Sequence, residues 1–433
     1  MSVYSDEFVM LAVGAAAFTD AFLNASVIPI LPRILRQQTC VSPDQIQYWT
    51  SVSFATVGGT GLLVNVILAL TTNSRHFKRQ AFRAGSLFMV AATGGLFLAK
   101  HVGVIVVARA LQGASTSILW VAGLGYLTAH VEQRVLGVAM GLVYGAIAIG
   151  DILGPIIGAV LYENAGWFAV MRLLLVAVAV DSFLRLLLRS KPEMPPHSED
   201  EIDPLLQHGN IREETSCADS HCSRRMESAL TKSIQPRDLV ASWLAIIVAG
   251  SIRTALESTL PIVISRHAQG SISAKGGIIL ALHCPAVLSP FLACVTTMAG
   301  PRYVTTGGSI VLSAALVALP YYRGDDGASS GAFVALLVTA GTGIVVLTTC
   351  HSTAFSMFVK SSEIEAHTTG AQERGAKSFA WMSTAWNLSM LSGPTLADFM
   401  MENSDWETLC FLLAGLSVMT SIILACTWRS EYA

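Results

Sequence analysis

The feature that most limits the fold of this chain is a series of twelve stretches, each of about 20 mainly apolar residues. A helix of that length crosses the hydrocarbon core of a bilayer. Short charged or glycine- and proline-containing breaks separate the stretches, and the chain is 53% hydrophobic but only 13% charged. The sequence therefore predicts an all-α membrane protein with twelve transmembrane helices, at 8–31, 49–71, 81–99, 103–127, 136–161, 167–189, 237–265, 276–298, 303–321, 331–358, 376–399 and 405–427.

A polar segment at 190–236 divides the predicted helices into two sets of six. It is rich in proline and charged residues, and it lacks the apolar content to bury a core of its own. We expect a six-helix bundle at 1–189, a flexible cytoplasmic linker at 190–236 and a second six-helix bundle at 237–433.

Lysine and arginine are distributed unequally between the two sides of this arrangement. With the N-terminus inside, eighteen lie in the inner loops, linker and C-terminal tail, and six lie in the outer loops. Because positive residues near span ends favour the cytoplasm, both termini are predicted to be cytoplasmic. The first span has no positive leader or cleavage site and is expected to remain as a helix. We expect a monomer in the plasma membrane rather than in a vesicle or vacuole, with the lipid bilayer as a partner.

No pattern in the sequence favours an enzyme, a metal site, a cofactor or a nucleic-acid partner. The net charge is −2, and no basic aromatic-rich stretch is present. No Ser/His/Asp set or nucleotide-binding loop occurs at a span end. Cys217 and Cys222 lie near His208 and His221 in the linker, but their spacing fits no standard zinc pattern.

Two local matches between the halves indicate an internal repeat. The run from Ser26 to Leu31 in the first span parallels the run from Ser258 to Val263 in the seventh. A Gly–Pro pair occurs in the fifth span and again in the eleventh, at the corresponding place. Transporter folds are often built from such repeats and place their site between the halves, near the middle of the membrane.

Two segments also resemble signatures of a known family. ARALQGASTSILWVAG, Ala108 to Gly123, has an Arg, a Gln–Gly pair and then small residues, and GDILGPIIGAVLYENAGW, Gly150 to Trp167, has a Gly–Pro core. The chain resembles the major facilitator superfamily, in its branch of twelve-span drug:proton antiporters. It is especially similar to vesicular amine transporters, through TDAFLNASVIPILP in the first span and ALESTLP in the seventh.

Glycine and proline in these signatures let helices approach closely and bend. Many membrane bundles use the same residues only for packing. We expect a gating role, because discontinuous helices mark transporter sites. The signature residues are Gln112, Gly113, Gly150, Gly154, Pro155, Gly158, Pro29, Pro261, Gly393 and Pro394.

Ionisable residues inside the spans are the candidate site, since each costs about 2.5–3.5 kcal/mol near the bilayer centre. The resemblance places Asp20, with Asn24 one turn on, where a carboxylate meets a cationic substrate in amine transporters. It likewise matches Glu257 to the acidic residue of the seventh span. The alternative for Glu257 is local, because Arg253 lies four residues earlier and the two charges can neutralise each other.

Arg109 and Asp151 are the other candidates. Arg109 can pair with a carboxylate or carbonyls and stabilise one transport state, or it can extend to the interface from a helix end. The resemblance gives Asp151 no role, so it is either a determinant of specificity particular to this chain or a residue bonded to backbone off the pathway. Trp120 and Trp386 are candidates for lining an apolar substrate cavity, although aromatic residues at this depth also pack against neighbours.

The chain departs from amine transporters at two positions. Alignment puts Val57 where that group has a lysine in the second span, and Met382 where it has an acidic residue in the eleventh. These differences favour a less charged substrate. The hypothesis is a proton-coupled exporter of a small amphipathic organic compound, with protons and that compound as partners. The alternatives are an importer or vesicular loader on the same fold, and a receptor that binds ligand without moving it.

Overall fold

The computed structural model describes residues 6–71, 75–131, 133–188, 236–267, 272–299, 301–322, 327–365 and 371–427. The described residues contain helices and short connections, with no strand among them. The predicted linker at 190–236 lies outside the described residues except for Pro236. Cys217, Cys222, His208 and His221 lie outside them as well.

The described residues form seven α-helices in the first half of the chain and seven in the second half. They are α1 Asp6–Val27, α2 Leu31–Gln37, α3 Ile46–Thr71, α4 Arg75–Phe97, α5 Val102–Ile118, α6 Leu124–His130, α7 Gln133–Leu187, α8 Pro236–His267, α9 Ile272–His283, α10 Ser289–Ala299, α11 Pro301–Ala318, α12 Gly327–Glu365, α13 Ala371–Asn403 and α14 Trp406–Thr427. A π-helical turn, Leu119–Gly123, joins α5 to α6, and 3₁₀ turns occur at Pro43–Gln45, Cys284–Leu288 and Leu319–Tyr321.

These helices form twelve spans. Within the described residues, nine helical segments are long and apolar enough to cross a membrane. One of them, Val138–Leu187, is 50 residues long and holds two spans, because Gly166 (φ 75°) interrupts the helical backbone of α7. The helices α4 and α13 carry more charge and supply the third and eleventh spans. The protein is therefore an integral, multi-pass membrane protein with six spans on each side of the predicted linker.

The prolines of the predicted repeat act differently in the two halves. The first span was expected to reach residue 31, but α1 ends at Val27 and a turn at residues 28–30 contains Pro29. Proline lacks a backbone N–H and clashes with the preceding turn, so it readily ends a helix. Its counterpart Pro261 instead lies inside α8, which continues to His267.

The Gly–Pro pairs do not interrupt their helices. The helix α7 continues through Pro155, and α13 continues through Pro394. The glycines serve close packing: a Cβ atom added to Gly150, Gly154 or Gly158 would meet the backbone of α1. In the second half, a Cβ on Gly393 would meet Ser251 and Thr254 of α8. The first and fifth spans thus pack as the seventh and eleventh do, which is the pseudo-symmetry that the sequence repeat predicts.

The buried apolar residues form three large clusters. Two of them consist mainly of first-half residues, but they also include second-half residues of α9 and α13, namely Ile272, Ile279, Ala380 and Met390. A third cluster joins α8, α9, α11, α12, α13 and α14 in the second half. The halves meet where α3 packs against α13 and where α7 packs against α9. A fold of this kind lets two rigid bundles rotate against each other around a central site.

A Gly158→Ala variant tests the glycine contact between α1 and α7. The new Cβ would collide with the Ser26 carbonyl oxygen, and overpacking of a tight interface costs about 1–3 kcal/mol. We expect a lower midpoint of thermal unfolding for the detergent-solubilised protein, followed by tryptophan fluorescence. Gly145→Ala in the same helix is the matched control, because nothing lies within 4 Å of its Cβ position. Equal midpoints in the two variants would contradict the packing argument.

Candidate substrate and coupling site

The first candidate site joins α1 and α5 inside the first half. Asp20 and Asn24 are four residues apart on α1, and Arg109, Gln112 and Thr116 follow at spacings of three and four on α5. Residues at these spacings lie on one face of a helix. The two faces meet, and we call these five residues the Arg109 cluster.

Arg109 is fully buried, and its hydrogen-bond partners are neutral. Its Nη1 donates to Asn24 Oδ1 at 3.2 Å and to Gln112 Oε1 at 2.6 Å, and its guanidinium lies 5.1 Å from the ring centre of Phe54. Its Nε and Nη2, like Gln112 Nε2, have no hydrogen-bond partner among the described residues. Because buried polar groups are nearly always paired, these three unsatisfied donors distinguish the Arg109 cluster from an ordinary packing contact.

Asp20 is held by a hydroxyl rather than by a cation. Thr116 Oγ1 lies 2.6 Å from Asp20 Oδ1 and 3.0 Å from the Gln112 carbonyl oxygen, so it can donate to either acceptor. The Asp20 residue is 7% exposed. Within the part of the chain that the structure describes, no cationic nitrogen lies within 4 Å of this carboxylate.

The second candidate site lies between the two halves. It consists of Asp151 on α7, Arg253 and Glu257 on α8, His283 at the end of α9 and Trp386 on α13, and we call it the Arg253 cluster. Arg253 Nη2 lies 2.7 Å from Asp151 Oδ2, and Arg253 Nε lies 2.6 Å from Glu257 Oε1. One guanidinium therefore pairs with two carboxylates, one from each half.

Two rings complete the Arg253 cluster. The Trp386 ring centre lies 5.3 Å from the Arg253 guanidinium carbon, a distance suited to a cation–π contact. His283 Nδ1 lies 3.3 Å from Arg253 Nη2, while its Nε2 lies 3.5 Å from Glu257 Oε1 without a hydrogen bond. The hydrogen-bonding groups around Arg253 thus come from three helices, and a fourth helix supplies the Trp386 ring.

The two clusters are electrically linked. Arg109 interacts electrostatically with both Asp20 and Glu257. Together the clusters hold two arginines and three carboxylates, so their formal charge is 2 − 3 = −1 when all are ionised and His283 is neutral. A single added cation or proton would balance this charge.

The predicted site residues separate into these two groups. Asp20, Asn24, Arg109 and Gln112 meet in the first cluster, and Asp151, Glu257 and Trp386 meet in the second. Trp120 is not among the contacts of either cluster; it lies in the π-helical turn of the fourth span with its ring centre 6.1 Å from that of Tyr144.

Asp151 and Arg253 differ most from the sequence-based interpretation. Of the two alternatives for Asp151, the bond to backbone is wrong, because its carboxylate bonds to the Arg253 side chain of the opposite half. A role in specificity stays a prediction. The sequence indicates Arg253 only as a local neutraliser of Glu257, whereas in the structure it also bonds to Asp151. The sequence feature that could have indicated this site is Arg253 itself, because it is an arginine near the middle of an apolar span.

A neutral polar network joins the halves on their other side. Asn65 of α3 contacts Ser383 of α13 at 3.0 Å, and Asn387 of α13 donates to Ser117 of α5 at 2.9 Å. Gly61 faces the Asn387 side chain. No sequence signature marked these residues, because single amides and hydroxyls are common in membrane helices.

A third charged pair stabilises the first half alone. Asp181 and Arg185 form two hydrogen bonds, at 2.9 and 2.7 Å, and both side chains are at most 1% exposed. The Arg185 guanidinium also lies 4.6 Å from the ring centre of Phe82. The pair faces the interior of its own half, which favours a structural role.

Asp181→Asn should destabilise the protein strongly. Removing one partner leaves Arg185 buried without its counter-charge, which costs about 3–5 kcal/mol. We expect a marked fall in the thermal unfolding midpoint in detergent. Glu402→Gln, which neutralises an exposed carboxylate, is the control and should leave the midpoint unchanged. A fall of equal size in both variants would exclude a specific contribution from the buried pair.

Two helical halves that meet around buried charges are the architecture of a secondary membrane carrier. Comparison with known proteins agrees: the family model of the Major Facilitator Superfamily matches residues 13–372. The chain belongs to this superfamily. Its relatives are transporters and not enzymes.

Curated relatives match the chain over different lengths. The MFS-type transporter ppzB of Metarhizium rileyi is 33% identical over 184 residues, which is 42% of this chain and 38% of that protein. The uncharacterized MFS-type transporter C18.02 of Schizosaccharomyces pombe is 24% identical over 96% of this chain and 94% of its own length. The matched segment thus spans less than two fifths of ppzB but nearly all of C18.02.

Two further relatives carry an activity in their names. The synaptic vesicular amine transporter of Mus musculus is 31% identical over 34% of this chain and 28% of its own length. The tetracenomycin C resistance and export protein of Streptomyces glaucescens is 28% identical over 37% of this chain and 29% of its own.

A solved structure supports the fold. The human organic anion transporter MFSD10 (TETRAN) superposes with a TM-score of 0.62 over 97% of this chain and 99% of that one, at 14% sequence identity. At this identity the likeness concerns the fold alone.

Proposed function

We propose that the protein exports a small amphipathic organic compound across the membrane in exchange for protons, by alternating access. The observation that carries the proposal is the state of Asp20, a buried carboxylate whose close partner is a hydroxyl. A carboxylate without a bound cation is free to exchange a proton or to receive a cationic group. The adjoining Arg109 has unpaired N–H groups that respond to that exchange.

The second part of the proposal concerns how the site changes sides. Each bundle holds most of its own buried apolar residues, and the contacts between the bundles include small residues, polar bonds and a few apolar side chains such as Ile279 and Met390. We propose that residues 1–189 and 237–433 rotate against each other, joined by a cytoplasmic linker at 190–236. The two charged clusters lie at or beside the contact, where such a rotation would alter their partners.

The proposed substrate class follows from the chemistry of the walls. The net charge of the clusters favours a basic or neutral compound over an anion, and Trp386 supplies an aromatic face. The relatives that are named for an amine and for tetracenomycin C are consistent with an amphipathic organic substrate. Val57 is fully buried where amine transporters have a lysine, so the second span adds no charge at that position.

The proposed setting is a monomer in the plasma membrane with both termini in the cytoplasm. The excess of positive residues in the predicted inner loops supports this orientation. Export requires that the site open to the cytoplasm to load and to the outside to release.

A vesicular loader is the second candidate, and the similarity to the synaptic vesicular amine transporter favours it. The same exchange at Asp20 would then fill an acidic compartment. The two candidates share a mechanism and differ in the membrane that holds the protein.

Uptake into inside-out membrane vesicles with an acidic interior tests the proposed exchange. A panel of fluorescent amphipathic compounds should include at least one that accumulates only while the proton gradient lasts. Asp20→Asn and Glu257→Gln should each lower its initial rate by about tenfold or more, since each removes a charge that the buried site must balance.

Three controls make this measurement interpretable. Glu402→Gln carries the same kind of change on the surface and should transport normally. Vesicles without the protein give the passive rate, and an ionophore that collapses the gradient should abolish accumulation. Wild-type rates in both site variants would refute the coupling roles, and binding without uptake in folded protein would indicate a receptor.

A further inference from the structure

The face of α7 that meets the opposite half has a regular spacing. Asp151, Pro155, Ala159 and Glu163 are four residues apart and therefore lie along one stripe of the helix. The glycines at 150, 154 and 158 precede the first three members by one residue each and pack on α1. One stripe thus fixes α7 to its own half, and the next stripe contacts the other half.

The middle of the contact stripe is small and apolar. A Cβ atom added to Gly276 of α9 would meet the Pro155 carbonyl oxygen and the Ala159 side chain, both at 2.6 Å. The two helices are therefore in van der Waals contact at this level.

Both ends of the stripe carry a carboxylate that bonds to the other half. At the end near Gly166, Glu163 Oε2 accepts from the backbone N–H of Ser273 at 2.9 Å and also from its hydroxyl. Glu163 is exposed, so water can replace these bonds. At the deep end, Asp151 is 8% exposed and pairs with Arg253 at 2.7 Å.

Arg253 and Asp151 would be left with different partners if the two halves separated. Arg253 keeps Glu257 in either case, because both are on α8, four residues apart. Asp151 has Arg253 as its partner, while Glu257 and Asp20 are like charges and His283 bonds to Arg253 instead. Separation therefore leaves Asp151 as the uncompensated group.

We propose that Asp151 is a positioning residue whose ion pair with Arg253 holds the two halves together along α7 and α9. Opening of this contact requires that another cation take the place of Arg253, and that cation is either a proton or a basic group of the substrate. This inference rests on the proposed function for the identity of that cation. The latch, meaning Asp151 with Arg253, stands on the contacts alone.

The test measures opening directly rather than transport. Asn164 near the end of the fifth span and Ala274 in α9 are exposed on opposite halves. Both are replaced by cysteine in a full-length chain whose eight native cysteines have been removed, and both are spin-labelled. Pulsed electron paramagnetic resonance in lipid nanodiscs then gives the distribution of distances between the labels. The parent should give mainly the short distance.

Asp151→Asn and Glu257→Gln form a matched pair, since each neutralises one of the two carboxylates on Arg253. Asp151→Asn should raise the ratio of long to short distances about tenfold or more, in the range expected for a buried inter-half charge pair. Glu257→Gln should leave the ratio unchanged, because the bond between the halves remains. Asp151→Glu, which keeps the charge, should restore the short distance.

Each outcome is decisive. Equal distributions in Asp151→Asn and the parent would overturn the latch, and so would equal opening in Asp151→Asn and Glu257→Gln. If Asp151→Asn does not fold, Asp151→Glu and Arg253→Lys replace it in the test. The latch is supported if Asp151→Glu keeps the short distance and Arg253→Lys opens the interface in part. It is overturned if Arg253→Lys does not open the interface. If no compound is transported but Asp151→Asn opens the interface, the proposed function fails while the latch stands.

Discussion

The structure depends on how charge is compensated inside an apolar bundle. An isolated ion in a membrane span is costly, so each buried charge must find a partner or a substitute for one. The protein compensates its buried charges in three ways. Asp181 and Arg185 pair within one half, and Arg253 pairs with one carboxylate from each half. Asp20 accepts a hydrogen bond from the Thr116 hydroxyl. Only the first is complete without a second half or a ligand. The arrangement of charge therefore distinguishes a pair that belongs to one half from the groups around Arg253 and Asp20, whose partners can change when the halves move or a ligand binds.

Close packing sets where these charges stand. The glycine stripe on α7 brings the fifth span against α1, and Gly393 brings the eleventh span against α8 in the same way. Because Asp151 directly follows Gly150, the contact that fixes the helix also turns the carboxylate toward the opposite half. Packing and electrostatics are thus set by neighbouring positions of one sequence motif.

The sequence predicted the fold well because hydropathy, internal repeat and family signatures are local patterns. The twelve spans and the two halves follow from such patterns. The partners of Arg109 do not, because its hydrogen bonds go to the Asn24 and Gln112 side chains rather than to the expected carboxylate or backbone carbonyl groups. The bridge from Asp151 to Arg253 does not, since it joins residues 102 positions apart whose meeting depends on how the halves dock. The Gly–Pro pairs do not end their helices, because α7 and α13 remain helical through their prolines, and the gating role of these pairs stays a prediction.

The Thr116 hydroxyl can donate its hydrogen bond in either of two directions. It has one proton and two acceptors, Asp20 Oδ1 on α1 and the Gln112 carbonyl oxygen on its own helix. An ionised Asp20 draws that proton toward α1, whereas a protonated Asp20 becomes the donor and turns the hydroxyl back toward Gln112. The protonation state of Asp20 on α1 thereby sets the direction of the hydrogen bond that Thr116 makes on α5. Thr116 lies one turn from Gln112, which accepts a hydrogen bond from Arg109.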